Sequence, residues 1–365
     1  MKNTIGNAIA VTLFGESHGE AIGAVIDGLS PGVKIDREYI EKKLLQRKAK
    51  GKISTARHEA DELRFLSGVF NGYTTGTPLS LIIENTNTKS ADYEWMKTTP
   101  RPSHADYTAE CKYHGYQDYR GGGHFSGRVT AALVAAGAIL ASALESKGIY
   151  IGSRIKRLGG IDDSGEISGI ADTELLNCRE FPTLSATSAK KMIEKIEAAA
   201  ARGDSVGGVL ETAVFGMPKG VGEPWFDTVE GVLSHVIFSV PAVKGLEFGA
   251  GFAISDMYGS EANDAFFTDG DRVYTRTNNN GGILGGITSG MPIIFRTAIK
   301  PTPSIFTEQD SVNLSSMENT RLSIKGRHDP AIIHRARAVI DAVTAIALSD
   351  LLTVRFGTDF FTSKA

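Results

Sequence analysis

Two stretches of this chain are apolar on nearly every face, and they limit what it can fold into. Residues 129–144 form an almost unbroken run of Ala, Val, Leu, Ile and Gly. Residues 331–352 carry a second, with Ile332, Ile333, Ala336, Val339, Ile340, Val343 and Ile346 at helical spacing. A helix apolar all round must be covered all round. At about 16 residues, and rich in Ala and Gly, the first run is too short and too weakly apolar to span a bilayer comfortably. Both runs therefore read as core helices, and the covering must come from the strand-like segments.

Those segments come in pairs joined by short turns. Residues 9–14 and 21–26 flank Gly15-Glu16-Ser17-His18-Gly19, and 63–85 reads as strand, turn and strand. Strands are also expected at 149–158, 206–215, 245–257 and 292–299. Paired strands without regular strand-helix alternation predict an α+β fold with central apolar helices sandwiched between antiparallel β-sheets. No Pro/Ser-rich linker or charge run divides residues 1–365, so a single domain is expected.

Local signals place further helices. Asp36 caps a helix through about Lys50, with Ile40, Leu44 and Leu45 on one face and a basic tail of Arg47, Lys48, Lys50 and Lys52. Helices are also expected at 188–201 and 228–239, and the acidic stretch 162–174 reads as irregular. The last helix is expected to start at Asp329-Pro330, with Asp at the N-cap and Pro at the first helical position.

A net charge of −3 argues against a broad nucleic-acid or anionic-membrane surface, so local basic clusters should serve small anions. Cys111 and Cys178 are the two cysteines and read as free thiols of a reducing cytosol. The early apolar run 8–14 is broken at once by Gly15, Glu16 and His18, unlike a signal peptide, so a cytoplasmic protein is expected.

Chemistry concentrates in loops. Tyr119-Arg120-Gly121-Gly122-Gly123-His124-Phe125-Ser126-Gly127-Arg128 puts a permissive backbone, two arginines and a capping serine just before the first apolar helix. Unpaired N–H groups at a helix start and guanidinium forks suit phosphate or carboxylate. His18, His104, His124 and His328 all stand in Gly- or Pro-rich polar loops, which suits proton transfer near neutral pH better than core packing. No His-x-x-x-His or His-x-Glu spacing supports zinc. Gly15-x-Ser17-x-Gly19 satisfies the nucleophile-elbow pattern of serine hydrolases, but residues 20–27 alternate like a strand where an elbow needs a helix. Dinucleotide and P-loop signatures are absent. The residues alone thus describe an enzyme with two anionic ligands, one at 121–128 and one near 300–304, with histidines between them.

Six motifs, in order, resemble the chorismate synthase family: Gly15-Glu16-Ser17-His18-Gly19, Arg101-Pro102-Ser103-His104-Ala105-Asp106, the Tyr119 to Arg128 loop, Gly281-Gly282-Ile283-Leu284-Gly285-Gly286, Lys300-Pro301, and Gly326-Arg327-His328-Asp329-Pro330. The resemblance implies conversion of 5-enolpyruvylshikimate-3-phosphate to chorismate, by anti-1,4-elimination of phosphate, with reduced FMN and no net redox change. It implies a homotetramer, and an external flavin reductase drawing on NADP-linked reductant, because no inserted reductase-like segment is visible. It also implies that His18 assists phosphate departure, His104 protonates or stabilises the reduced flavin, and Asp329 takes part in removing the C6 proton. Ser17, Arg47, Lys48, Arg101, Arg128 and Arg327 would bind substrate. His124, Phe125, Ser126, Pro241, Ala242, Gly285, Lys300, Pro301, Thr302, Pro303, Ser304 and Arg327 would hold FMN. The chain departs from the family's commonest pattern at His124, Phe125, Pro241 and Asp341, and in the run Arg47-Lys48-Ala49-Lys50-Gly51.

Overall fold

Two antiparallel five-stranded sheets enclose a layer of helices in the computed structural model, which describes residues 2–49, 51, 53–54, 61–86, 95–324 and 328–363. The first sheet runs Thr4–Ile5, Ala10–Gly15, Ala21–Asp27, Leu79–Glu84, Leu63–Ser67 in spatial order. The second runs Val243–Phe248, Ile293–Ile299, Gly208–Phe215, Tyr150–Leu158, Ile161–Asp162. Burial alternates residue by residue along Ile293–Ile299, as expected of a strand with one face on the core. The Thr130–Ser146 helix packs on the first sheet, the Ile333–Phe356 helix on the second, and the two helices pack on each other. This is the expected sandwich.

Gly127–Ser146 as a whole is long and apolar enough to cross a membrane, yet 78% of its apolar window is buried in the protein, which makes it a core helix. Gly137 lets it come close to the C-terminal helix. A Cβ built there would stand 2.4 Å from the Ala342 Cβ and 2.6 Å from the Ala342 carbonyl oxygen. The buried Asp350 carboxylate, on the same C-terminal helix, accepts the N–H groups of Asn7, Ala8 and Ile9 at 2.7–3.0 Å, tying the chain's start to its last helix.

Asp36 caps the Arg37–Arg47 helix through the Tyr39 N–H, at 3.0 Å. Leu45 does not share the buried face. It is 48% exposed, whereas Lys43 and Arg47 are buried with Ile40 and Leu44, because positions three and seven residues beyond Ile40 share its stripe and Leu45 does not. The helix ends at Arg47, and Lys50 and Lys52 lie outside the described residues. Within the acidic 162–174 stretch, helix Ile170–Cys178 begins where an irregular segment was expected; Thr173 and Leu176 anchor it against Tyr150–Leu158, a tertiary effect invisible in local sequence. The last helix starts at Ile333 rather than at Asp329. The Pro330 carbonyl is taken by the Val206 N–H at 2.8 Å, and Asp329 pairs with Arg335 six residues on instead of capping.

Gly137→Ala should lower stability by about 1–3 kcal/mol despite alanine's higher helix propensity, because the added methyl meets backbone that cannot yield. Gly259→Ala, where a Cβ meets nothing within 4 Å, should stay within about 0.5 kcal/mol of wild type. Urea denaturation of both variants checks the contrast.

Candidate active site

Gly121, Gly122 and Gly123 have φ of 60°, 84° and 53°, three consecutive left-handed residues that only glycine adopts readily. The turn lets several loops close on it. A Cβ on Gly121 would stand 2.7 Å from the His18 Nε2 and 3.1 Å from the Ser17 Oγ, and one on Gly122 would stand 3.2 Å from the His104 Cε1 and 3.4 Å from the Arg101 Nη2. The Ser17 N–H donates to the Gly123 carbonyl at 3.0 Å, and the His124 Nδ1 lies 2.8 Å from the Gly15 carbonyl. Ser17, His18, Arg101 and His104, distant in sequence, therefore share one glycine turn. Ser126 caps the short 3-10 turn Gly127–Val129 that leads into the first core helix. Arg120 is paired with Asp118 at 2.8 Å.

His104 is oriented by a carboxylate. Asp106 accepts from the Arg101 N–H, Nε and Nη2 at 2.8–2.9 Å and lies 2.7 Å from the His104 Nδ1. Burial alone would raise the Asp106 carboxyl, but the Arg101 and His104 hydrogen bonds outweigh it and hold it well below the usual carboxylate range. An ionised carboxylate only accepts, so Nδ1 carries the hydrogen and the opposite ring edge, Cε1 and Nε2, faces Gly122. The Arg101 Nη2 also lies 2.9 Å from Nδ1, but both then carry hydrogens, so the shared carboxylate holds them together.

Two cavities adjoin here. The larger, about 810 Å³, has walls that include Leu13, Val129, Leu133, Val343 and Ile346 and a polar rim that includes His104, His124, His235, Lys244 and Lys300. Phe125, Ser126, Pro241, Ala242 and Pro303 also line it. Ala242 and Ser103, both lining residues, have φ of 75° and 58°, unusual for non-glycine residues. Both hold Lys300, whose N–H donates to the Ala242 carbonyl at 2.9 Å and whose Nζ donates to the Ser103 carbonyl at 2.5 Å. The smaller cavity, about 270 Å³, is lined by Arg47, Lys48, Asp61, Arg128, Asp329 and Arg335 among others. Ser126, Gly127, Thr130, Val240, Pro241 and Ile332 line both.

In the smaller cavity Arg128 pairs with Asp61, which also lies 3.6 Å from Arg47 and 3.8 Å from Lys48. Arg47 is fixed to the Thr130 hydroxyl and the Gly127 carbonyl at 2.9 and 3.0 Å, so it is a buried site residue rather than part of a solvated helix end. Asp329 takes a 2.5 Å ion pair from Arg335, whose Nε donates to the Arg47 carbonyl at 2.7 Å. His328, whose ring centre lies 5.2 Å from that of Phe306 in a tilted pair, is pushed down by burial and by the Arg101 charge.

Some expected residues stand apart. Ser17 and His18 are buried beside Gly121 and line neither cavity. Ser17 is followed by strand Ala21–Asp27 and not by a helix, which removes the hydrolase reading. Gly285 lies in the Ile283–Leu284 and Ile287–Thr288 hairpin and lines neither cavity; the hairpin meets the start of helix Val229–Phe238, whose far end borders the larger one. Pro301, Thr302 and Ser304 also line neither, and the Thr302 carbonyl is turned to the Ser205 hydroxyl at 2.7 Å. Arg327 lies outside the described residues. Sequence reasoning missed Asp61, Asp106, Lys244, His235 and Arg335 as site residues. Of these only Asp106, two residues from His104 in a Pro-fixed loop, carried a local signal.

An α+β protein with an apolar cavity opening beside a cationic one, and an oriented histidine on its rim, is built as an enzyme for an anionic small molecule. The comparisons say which kind. Residues 9–353 match the family model described as chorismate synthase. The chain is 46% identical over 350 residues to "Chorismate synthase" of Pyrococcus abyssi, covering 96% of this chain and 97% of that one. It is 46% identical over 356 residues to "Chorismate synthase" of Dehalococcoides mccartyi strain BAV1, covering 96% of each. A solved structure titled "Crystal Structure of Chorismate Synthase" superposes with a TM-score of 0.77 at 27% identity, covering 98% of this chain and 95% of that one. The chain belongs to the chorismate synthase family.

Asp106→Asn should destabilise the protein by about 2 kcal/mol at pH 7, the usual range for a hydrogen-bonded charged group. The folded-state carboxyl is depressed, so its contribution is complete above the unfolded value near 4 and is lost as pH falls below it. The gap between wild type and variant should therefore narrow between pH 7 and pH 3, as urea titrations at both would show; a constant gap counts against the ion-pair reading.

Proposed function

We propose that this chain is a lyase that converts 5-enolpyruvylshikimate-3-phosphate to chorismate and phosphate, using reduced FMN without net redox change, in the shikimate route to aromatic amino acids. The observation that carries the proposal is the shared wall at 126–130: it borders an apolar cavity large enough for a flavin ring system and a cationic one suited to a phosphorylated dicarboxylate. Family membership supplies the reaction.

FMN fits the residues of the larger cavity. Its walls are apolar, and two lysines meet at its rim: burial and the Lys244 charge both push the Lys300 ammonium down, a conflict that a phosphate would relieve. His124, Phe125, Ser126, Pro241, Ala242, Lys300 and Pro303 would hold it. Bound there, reduced FMN would supply the electron that loosens the carbon–oxygen bond to phosphate and take it back as the C6 hydrogen leaves.

The chain's own residues supply charge and proton control. Arg47, Lys48 and Arg128 bind phosphate and carboxylates, exchanging part of their contact with Asp61 for the ligand's anions. His104, with Nδ1–H given to Asp106, presents its other ring edge to the cavity loop and steadies the reduced cofactor's charge. Asp329, held in place by its ion pair with Arg335, receives the C6 proton. His18 is assigned the proton for phosphate departure; it stands against Gly121, in the loop that continues into the wall shared by the two cavities.

The same reading makes the protein a cytoplasmic homotetramer of single-domain subunits, supplied with reduced flavin by a separate NADP-linked reductase, and with no nucleic-acid or membrane partner. Exposed aromatics such as Trp225 and Phe226, 87% and 92% accessible, support subunit association.

With dithionite-reduced FMN under anaerobic conditions, the protein should release chorismate from 5-enolpyruvylshikimate-3-phosphate. Normal FMN binding without chorismate overturns the proposal. His18→Ala and His104→Ala should each lower turnover by roughly 10²-fold, and a near-wild-type rate in either removes that residue's role.

A further inference from the structure

Asn85 follows the end of strand Leu79–Glu84 and touches two parts of the site. Its Nδ2 donates to the carbonyls of Glu16 and Gly19, both at 2.9 Å, and its backbone N–H donates to the Glu20 carbonyl at 2.9 Å. The Glu16 and Gly19 carbonyls bracket the turn that carries Ser17 and His18. Its Oδ1 accepts from the Arg128 Nε at 2.9 Å. Arg128 in turn lines the cationic cavity and gives Nη2 to the Glu84 carbonyl at 3.2 Å.

Both donors and the acceptor of one amide are thus used, and the partners fix which end is which. Two carbonyls require the NH₂ group, and a guanidinium N–H requires the oxygen. No other side chain of this length offers both. Aspartate would keep the acceptor for Arg128 but set a carboxylate oxygen against two carbonyls; alanine would lose both ends.

We propose that Asn85 is a positioning residue that locks the His18 turn to the Arg128 guanidinium, so that the group protonating the leaving phosphate and the cation binding the substrate keep one fixed separation. The proposal rests on the roles assigned to His18 and Arg128 above. A displacement of about 1 Å between such groups lowers turnover by as much as ~10²-fold, which sets the scale of the effect.

The two ends of the amide can be tested separately. Asn85→Asp should lower kcat by roughly 10- to 100-fold while leaving the substrate Kd, measured by calorimetry on flavin-free protein, within about threefold. Asn85→Ala should lower kcat similarly and weaken that Kd by about 10-fold, the ~1.4 kcal/mol scale of a lost charged hydrogen bond. In a His18→Ala background, Asn85→Asp should reduce kcat by less than about twofold, because the group it positions is gone. Equal fold losses in both backgrounds, or wild-type kcat in Asn85→Asp, overturn the proposal. If Asn85→Asp does not fold, the same cycle with Asn85→Ala decides. His18→Ala alone reports on the reaction roles: a near-wild-type rate there rejects the acid assignment, whereas multiplicative losses in the cycle, with His18→Ala impaired, reject only the coupling through Asn85.

Discussion

The contact of Gly137 with Ala342 fixes where the site can be. The two core helices approach so closely there that a methyl group has no room. Thr130 lies seven residues before that contact and Ile333 nine residues before Ala342, which puts both helix starts about 10–14 Å from the crossing. Thr130 lines both cavities, as does Ile332, which immediately precedes the second helix, so the two starts lie at the same end of the sandwich. The loops entering the helices, 119–129 and 328–332, are therefore delivered to one place by packing alone. Side chains further along, Leu133, Val343 and Ile346, then become cavity wall. Core and site are one construction.

What packing delivers, a few polar groups hold in register. Asp106 gathers Arg101 and His104; Asp61 gathers Arg128, Arg47 and Lys48; Asn85 ties the Ser17 and His18 turn to Arg128. Each is a compact acceptor or amide meeting several long cations or backbone groups. Pairing is required of groups so poorly hydrated, since an unpaired buried charge would cost several kcal/mol. The arrangement also holds the cations in the cavity ready for anions, because a guanidinium already ordered on Asp61 or Asn85 loses less freedom when a phosphate arrives.

Much of this architecture was legible in the chain. The two apolar runs forced a covered helical layer, paired strands gave antiparallel sheets, and Asp36 marked a helix start that the structure keeps. The glycine turn and the loop histidines pointed to the region where His104 and His124 line a cavity. Misreadings occur where tertiary partners override local signals. Asp329-Pro330 has the form of a helix start, but Arg335 and Val206 take the groups that capping would have used. Locally Arg47 and Lys48 are only the basic tail of a helix, yet they face Asp61, 14 residues beyond Arg47, and nothing in the spacing announces that pairing. Lys244 and His235 came from an ordinary strand and an ordinary amphipathic helix, so only folding shows that they line the rim.

The shared wall at 126–130 explains why one glycine-rich loop has to serve both cavities. An apolar chamber beside a cationic one would ordinarily be separated by side chains, which set ligand atoms several ångströms apart. Here Gly127 stands between them with open space around it, Ser126 turns its hydroxyl back to the Arg128 N–H at 3.3 Å, and Thr130 gives its hydroxyl to the Gly127 carbonyl. Polar groups of the wall thus bond one another, with Arg47 adding bonds to the Thr130 hydroxyl and the Gly127 carbonyl. On the proposed reading, ligands on the wall's two sides would lie close together while their anionic ends meet different cations, Lys244 and Lys300 lining one cavity and Arg47, Lys48 and Arg128 the other.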